Sequence, residues 1–117
     1  MAAAATDHYR RALAIWPDYP DANVNLGNAL FAAGDVAAAV PHYERALRLR
    51  PDLLEARNNL AFALVALERP LAAIPHFEAA LALARRAGRT DLAAELEARL
   101  ARCRSQVPTR EASAPRP

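Results

Sequence analysis

One hexapeptide pattern occurs three times in the chain at a constant spacing. It begins at His8, His42 and His76 and reads His-Tyr-Arg-Arg-Ala-Leu, His-Tyr-Glu-Arg-Ala-Leu and His-Phe-Glu-Ala-Ala-Leu, with 34 residues between successive starts. A fixed period of this size is typical of stacked helix-turn-helix units, each of which buries its apolar face against its neighbours. The repeat predicts an all-α solenoid of antiparallel helix pairs, and therefore a binding surface rather than a reaction centre.

The composition fits closely packed helices. The chain has 117 residues, which is the length of one domain, and it is 54% hydrophobic but only 6% aromatic. The many alanines favour helices that approach one another closely. No apolar run approaches the roughly 20 residues that span a bilayer, so no membrane insertion is expected. Cys103 is the single cysteine, which excludes an internal disulfide and a cysteine-cluster metal site.

The charge pattern argues against a nucleic-acid partner. The net charge is +2 and the isoelectric point is about 9.2, and all 15 basic residues are arginines that are spread along the chain. A nucleic-acid interface usually shows a basic stripe with stacking aromatics. The absence of lysine suggests a GC-rich, bacterial source. Because the N-terminus carries no signal-peptide pattern, a cytoplasmic location is expected.

Two complete units can be aligned position by position, over residues 20–53 and 54–87. Each has a first helix that ends near a turn and a second helix that carries the hexapeptide. At equivalent positions the units share two leucines, two small residues and an aromatic ring: Leu26, Gly27, Leu30, Ala39 and Tyr43, then Leu60, Ala61, Leu64, Ala73 and Phe77. Small residues are expected where two helices cross, because a larger side chain would push them apart.

This pattern resembles the tetratricopeptide repeat, in which W-x2-L-G-x2-Y is followed by A-x3-F and then P. The resemblance covers about residues 3–87 and implies a right-handed stack whose first helices line a concave groove. Residues 1–19 look like the second half of a unit, residues 88–104 predict a capping helix with a polar outer face, and residues 105–117 predict a disordered tail. Pro41 and Pro75 depart from the pattern and are expected to bend the second helices.

Neither a metal site nor an active site is predicted. The three repeat-equivalent histidines belong to units roughly 10 Å apart, whereas a zinc ion holds its nitrogen ligands at about 2.1 Å. The chain has no glycine-rich phosphate loop, no nucleophile elbow and no His/Asp/Ser grouping in a suitable context. We therefore expect no catalytic residue, no metal and no cofactor, and Cys103 is expected to be a small buried residue.

Asparagines in the first helices are the best candidates for a binding site. Asn25 and Asn59 are 34 residues apart, and their surroundings resemble the repeat arm of protein O-linked N-acetylglucosamine transferase. That resemblance implies an asparagine ladder that holds the backbone of an extended peptide, since a carboxamide offers both a donor and an acceptor. The alternative is that asparagine is merely a solvent-tolerant repeat residue, and that Phe62 belongs to the core. The predicted peptide-binding residues are Asn25, Asn28, Asn58, Asn59, Phe31, Phe62 and Val65.

Three other functions remain open or are disfavoured. A clamp for a terminal carboxylate is not expected, because Asp21 and Glu55 occupy comparable places in the groove and would repel such a ligand. The chain could instead be the C-terminal end of a larger enzyme such as a glycosyltransferase, which its Ala-Leu-Arg-rich end resembles. Lastly, the first helix lacks a partner helix, so self-association through Tyr9 and Leu13 would give a homo-oligomer.

Overall fold

The chain folds into a stack of helices connected by short turns. The computed structural model describes the backbone of residues 2–106 and the side chains of residues 6–106. Within that range every regular element is helical, as predicted. The helices are α1 (Ala2–Ile15), α2 (Pro20–Ala32), α3 (Val36–Leu49), α4 (Leu54–Ala66), α5 (Pro70–Arg86) and α6 (Thr90–Gln106). None of these helices is long and apolar enough to cross a membrane.

Local sequence signals account for the helix ends. Proline stands at the start of α2 and of α5, where its missing N–H costs nothing. The carboxylate of Asp35 accepts a hydrogen bond from the backbone N–H of Ala38 and caps α3. Gly34 follows α2 at φ 89° and Glu68 follows α4 at φ 59°. The same left-handed turn thus reverses the chain in both units, with glycine in only one of them.

Alanines and glycine allow the helices to pack closely. Ala39 and Ala46 of α3 and Ala73 and Ala80 of α5 are fully buried. A Cβ atom on Gly27 would lie 2.7 Å from Cε1 of Tyr43, closer than real contacts allow. The expected need for a small residue at this crossing is therefore visible in the geometry.

Two features of the helices can be compared with the expectations from the sequence: the prolines within α3 and α5, and the end of α6. Both α3 and α5 continue as single helices through Pro41 and Pro75, which lie on the exposed side. The last helix extends to Gln106, so Ser105 and Gln106 are helical and not part of a tail. The remainder of the predicted tail, residues 107–117, lies outside the described residues.

The first helix is less covered than its repeat equivalents. Tyr9 and Leu13 pack against the core but remain half-buried. By contrast, Tyr43 and Phe77, which occupy the position of Tyr9 in later units, are each only 1% exposed. The difference arises because α3 and α5 each pack against a first helix of their own unit, whereas within the described residues α1 packs mainly against α2, a helix of the next unit.

Candidate functional site: the groove of the first helices

The first helices of the units, α2 and α4, line one side of the stack together with α6. Between α2 and α4 is a depression of about 260 Å³, here called the central depression. Its walls come from α2, α4 and one ring of α3. Four of the seven residues predicted from sequence meet there. It is lined by Asn28, Phe31, Ala32, Tyr43, Asn59 and Phe62.

A small hydrogen-bond network fixes the asparagines of the central depression. The hydroxyl of Tyr43 donates to Oδ1 of Asn28 at 2.6 Å, and Nδ2 of Asn59 donates to the same oxygen at 2.8 Å. Both lone pairs of that oxygen are therefore used. Within residues 6–106, Nδ2 of Asn28 and Oδ1 of Asn59 have no hydrogen-bond partner among protein groups. The pair thus leaves one donor and one acceptor available.

Burial keeps the tyrosine of this network in its donor form. Tyr43 is 1% exposed, and burial raises the pKa of its hydroxyl to about 12. The hydroxyl consequently stays protonated over the physiological pH range and continues to donate to Asn28. Gly27, directly below the ring, provides the space that lets the hydroxyl reach this asparagine.

Asn25 lies in a second depression of about 460 Å³, nearer the starts of α2 and α4, here called the acidic depression. Although Asn25 and Asn59 are repeat equivalents, the structure does not bring them together. The neighbours of Asn25 include three carboxylates and one guanidinium group, from Asp21, Asp52, Glu55 and Arg89. All four charged residues are exposed, and none of them has an ion-pair partner within the described residues.

Phe62 and Val65 border a third depression between α4 and α6, here called the basic depression, with a volume of about 60 Å³. The guanidinium of Arg99 lies over the ring of Phe62, 4.1 Å from its centroid, and Phe62 packs edge-to-face on Phe77. Phe62 therefore belongs to both the groove and the edge of the core. The depression is lined by Phe62, Val65, Phe77, Arg99, Arg102, Cys103 and Gln106.

Two predicted or candidate side chains face inward. Oδ1 of Asn58 is buried and has no hydrogen-bond partner within the described residues, so the acceptor that would contact a peptide is out of its reach. Cys103 is buried as expected, and burial raises the pKa of its thiol while the nearby Arg102 opposes that change. A thiol with a raised pKa is less reactive than a free one.

The repeat-equivalent histidines contact the first helices rather than one another. Nδ2 of Asn23 donates to the carbonyl of Tyr19 at 3.1 Å, which turns its Oδ1 towards Nδ1 of His42, 3.3 Å away. Since that oxygen can only accept, Nδ1 of His42 must carry the hydrogen. In the next unit NH1 of Arg57 donates to Nδ1 of His76 at 3.4 Å, so there the nitrogen must be free of hydrogen.

Partial burial lowers the pKa values of His42 and His76. Burial is the larger cause in each case; Arg10 adds to it at His42. At His76 the neighbouring Arg57 also lowers the pKa, while Glu44 raises it. Among the described residues no cluster of His, Cys, Asp and Glu side chains is arranged to hold a metal ion.

Sequence reasoning missed the residues that other elements bring into the groove. The repeat pattern predicts a buried ring at Tyr43, yet its hydroxyl reaches the central depression from α3. Arg99 and Arg102 lie in the predicted capping helix, residues 88–104, and border the basic depression. The sequence did contain a signal for Tyr43. The second unit has Phe77 at the equivalent position, and the tyrosine hydroxyl needs a hydrogen-bond partner that phenylalanine does not need.

Comparisons with known proteins agree with this architecture. No curated protein matches the sequence. Among solved structures, the TPR2B-domain:pHsp70-complex of yeast Sti1 is similar with a TM-score of 0.77 and 18% identity, over 87% of this chain and 82% of that chain. MamA of AMB-1 has a TM-score of 0.63 and 24% identity, over 95% of this chain and 68% of that chain.

A further likeness and a family model address the repeats themselves. The MamA R50E mutant is 28% identical to this chain with a TM-score of 0.62. The match covers 64% of this chain and 55% of the mutant chain. None of these findings singles out the O-linked N-acetylglucosamine transferase arm, so that finer resemblance stays a prediction. A model described as tetratricopeptide repeat matches residues 18–84, which is more than half of the chain. The chain therefore belongs to the tetratricopeptide repeat family.

Proposed function

We propose that this chain is a non-catalytic interaction module that binds an extended peptide segment of a partner protein in the groove of α2, α4 and α6. The observation that carries the proposal is the Asn28–Asn59 pair. Their mutual hydrogen bond leaves Nδ2 of Asn28 and Oδ1 of Asn59 open to solvent above an apolar floor. A peptide group offers the complementary acceptor and donor, so it can replace two waters without leaving a polar atom unpaired.

The surroundings of the pair support a side-chain pocket beside the backbone contact. Phe31 and Phe62 border the central depression and can cover an apolar side chain of the ligand. The Sti1 domain of similar fold was solved in a complex with pHsp70, so this fold can carry a protein partner in at least one case.

Selection from a random peptide library tests the proposal without knowledge of the natural ligand. The immobilised full chain is used to select binders from phage-displayed peptides, and their Kd values are measured by fluorescence anisotropy. Truncation of Phe31 in Phe31→Ser should weaken binding about 10-fold, as expected for an aromatic residue at the centre of an interface. The matched control is Leu71→Ser, because Leu71 is 69% exposed on α5 and lies outside all three depressions.

The asparagines give a finer test of the same site. Asn59→Ala should weaken the binding of a selected peptide more than Asn25→Ala does, because Asn59 lies in the central depression and Asn25 lies in the acidic depression. Circular dichroism verifies that the variants keep their helices. If no peptide is selected, or if Leu71→Ser weakens binding as much as Phe31→Ser, the proposed groove site is wrong.

A second candidate function is self-association through α1. It is favoured by the half-buried state of Tyr9 and Leu13, whose equivalents in later units are almost fully buried. Multi-angle light scattering at tens of micromolar protein measures it directly. A monomer at that concentration would exclude this candidate, and a dimer that Leu13→Glu dissociates would support it.

A further inference from the structure

The charges around the groove are divided between its two ends. The acidic depression carries three carboxylates against one guanidinium group, which leaves two negative charges in excess. The basic depression has two guanidinium groups, those of Arg99 and Arg102, and no carboxylate among its lining residues. The central depression between them contains no charged side chain.

The acidic end is unusually free to take a cation from outside the chain. Asp21, Asp52 and Glu55 come from the start of α2, the turn before α4 and the first turn of α4. Each is exposed and none forms an ion pair within residues 6–106, although four ion pairs occur elsewhere in that range. Arg89 is the one neighbouring cation in this depression, and its charge leaves most of the negative potential uncompensated.

The basic end combines a cation with an aromatic surface. Arg99 is shared between the ring of Phe62, at 4.1 Å, and the carboxylate of Glu95, at 2.8 Å. Arg102 lies one turn further along α6, is exposed, and has no ion-pair partner among the described residues. A ligand carboxylate next to Arg102 would therefore meet an unpaired guanidinium beside an apolar wall.

The distance between the two ends defines the length of a suitable ligand. Glu55 at the acidic end and Val65 at the basic end are ten residues apart on α4, or on the order of 15 Å at 1.5 Å per helical residue. An extended peptide covers about 3.3–3.6 Å per residue, so roughly four to five residues bridge that distance. The Asn28–Asn59 pair and the two phenylalanines lie between the ends.

We propose that the ligand of this groove is an extended peptide with a basic side chain at one end, an acidic side chain four or five positions away, and an apolar side chain between them. This assignment rests on the proposed peptide-binding function and adds the charge pattern that the ligand must have. Basic and acidic ligand side chains neutralise the acidic and basic depressions respectively, while the apolar side chain enters the central depression. A uniformly acidic peptide is repelled by Asp21, Asp52 and Glu55.

Synthetic hexapeptides test the charge pattern. The probe is fluorescein-labelled Arg-Ala-Ser-Leu-Ala-Glu-amide, and the comparison peptides are Arg-Glu-Ala-Leu-Ala-Ser-amide, with adjacent charges, and Gln-Ala-Ser-Leu-Ala-Gln-amide, without charges. By fluorescence anisotropy at low salt, the probe should bind the full chain about 3- to 10-fold more tightly than either comparison peptide, as expected for two exposed ion pairs. The advantage should shrink in 0.5 M NaCl, because salt screens exposed charges.

Charge reversal in the protein gives the decisive control. With the double variant Asp21→Arg/Glu55→Arg, the probe should no longer bind more tightly than the comparison peptides. Glu-Ala-Ser-Leu-Ala-Glu-amide should then bind more tightly than the probe. Asp7→Arg/Glu68→Arg has the same change in net charge outside all three depressions and should leave the order of affinities unchanged.

The outcomes separate this inference from the function on which it rests. If all three hexapeptides bind with equal affinity and Phe31→Ser still weakens their binding, the proposed charge pattern is wrong and the proposed peptide groove stands. Failure of every hexapeptide and every library peptide to bind would overturn both. A reversal of preference in the Asp7→Arg/Glu68→Arg control would show that net charge alone governs binding, which also contradicts the proposal.

Discussion

The two complete units, residues 20–53 and 54–87, have the same helices and turns but use different chemistry at equivalent positions. In the first unit Tyr43 donates to Asn28 in the groove. In the second unit Phe77 packs edge-to-face on Phe62 at the same two positions. The substitutions are correlated because a buried hydroxyl needs an acceptor, whereas a phenyl ring needs only apolar surface. These two contacting positions therefore differ together between the units, and the pair decides whether its part of the groove is polar.

The same comparison explains where the groove changes from polar to aromatic. Asn25 and Asn59 are conserved between the units as a residue type, but the next turn of the helix has Asn28 in one unit and Phe62 in the other. As a result the groove is polar over α2 and aromatic where α4 meets α6. Four predictions test this comparison, in order of decreasing expected effect.

Copying the second unit into the first should have the largest effect. Asn28→Phe should lower the free energy of unfolding by about 1–3 kcal/mol, because it leaves the Tyr43 hydroxyl buried without an acceptor. Adding Tyr43→Phe should recover about 1 kcal/mol or more, since the double variant reproduces the Phe62–Phe77 contact. Urea denaturation of the single and double variants measures both steps. Additive losses in the double variant would show that the two positions are not coupled as proposed.

The helix crossing gives the next prediction. Gly27→Ala should destabilise the chain by about 1–2 kcal/mol, because the added Cβ meets the rigid Tyr43 ring and the gain in helix propensity offsets only part of that cost. The second unit has Ala61 at this position and Phe77 in place of Tyr43. A variant as stable as the wild type in urea denaturation would mean that α2 and α3 can separate slightly at no cost.

Exchanging the residues of the two turns should give effects of opposite sign. Gly34 and Glu68 are repeat equivalents with φ 89° and 59°, a backbone conformation that costs a side-chain-bearing residue about 1 kcal/mol. Gly34→Glu should therefore lower the thermal midpoint, and Glu68→Gly should raise it by a similar amount. Differential scanning calorimetry measures both shifts. Loss of stability in Glu68→Gly would show that the Glu68 side chain makes a contact that outweighs the strain.

The histidines give the smallest expected effect, which appears only with pH. Their pKa values are lowered in the folded chain, so the unfolded chain binds more protons in mildly acidic solution. The free energy of unfolding should consequently fall as the pH falls below about 6.5 towards the folded-state pKa values. His76→Gln should flatten this pH dependence more than His42→Gln, because protonation of His76 also removes its hydrogen bond from Arg57.

Urea denaturation between pH 5 and pH 8 measures this difference. Nδ1 of His42 already carries a hydrogen towards Asn23, so its protonation keeps that bond and costs less. Equal flattening by the two substitutions would contradict the assigned difference in tautomer. Greater stability at pH 5 than at pH 7 would contradict the lowered pKa values themselves.

The sequence alone determined the fold, because the 34-residue period and the small residues at the crossings leave few other ways to bury the apolar stripes. Four of the residues that the sequence predicts for peptide binding, Asn28, Asn59, Phe31 and Phe62, line one depression. Periodicity could not tell which asparagines meet. It paired Asn25 with Asn59 as repeat equivalents, whereas the offset between α2 and α4 places Asn28 beside Asn59.

Only the tertiary structure decided the chemistry of the groove. Contacts between helices gave Asn28 its tyrosine partner from α3 and brought Arg99 of α6 over Phe62. They also buried the oxygen of Asn58, one residue from the exposed acceptor of Asn59. The sequence specifies which side chains each helix carries, but the rotation and offset of packed helices determine which atoms remain available to a ligand.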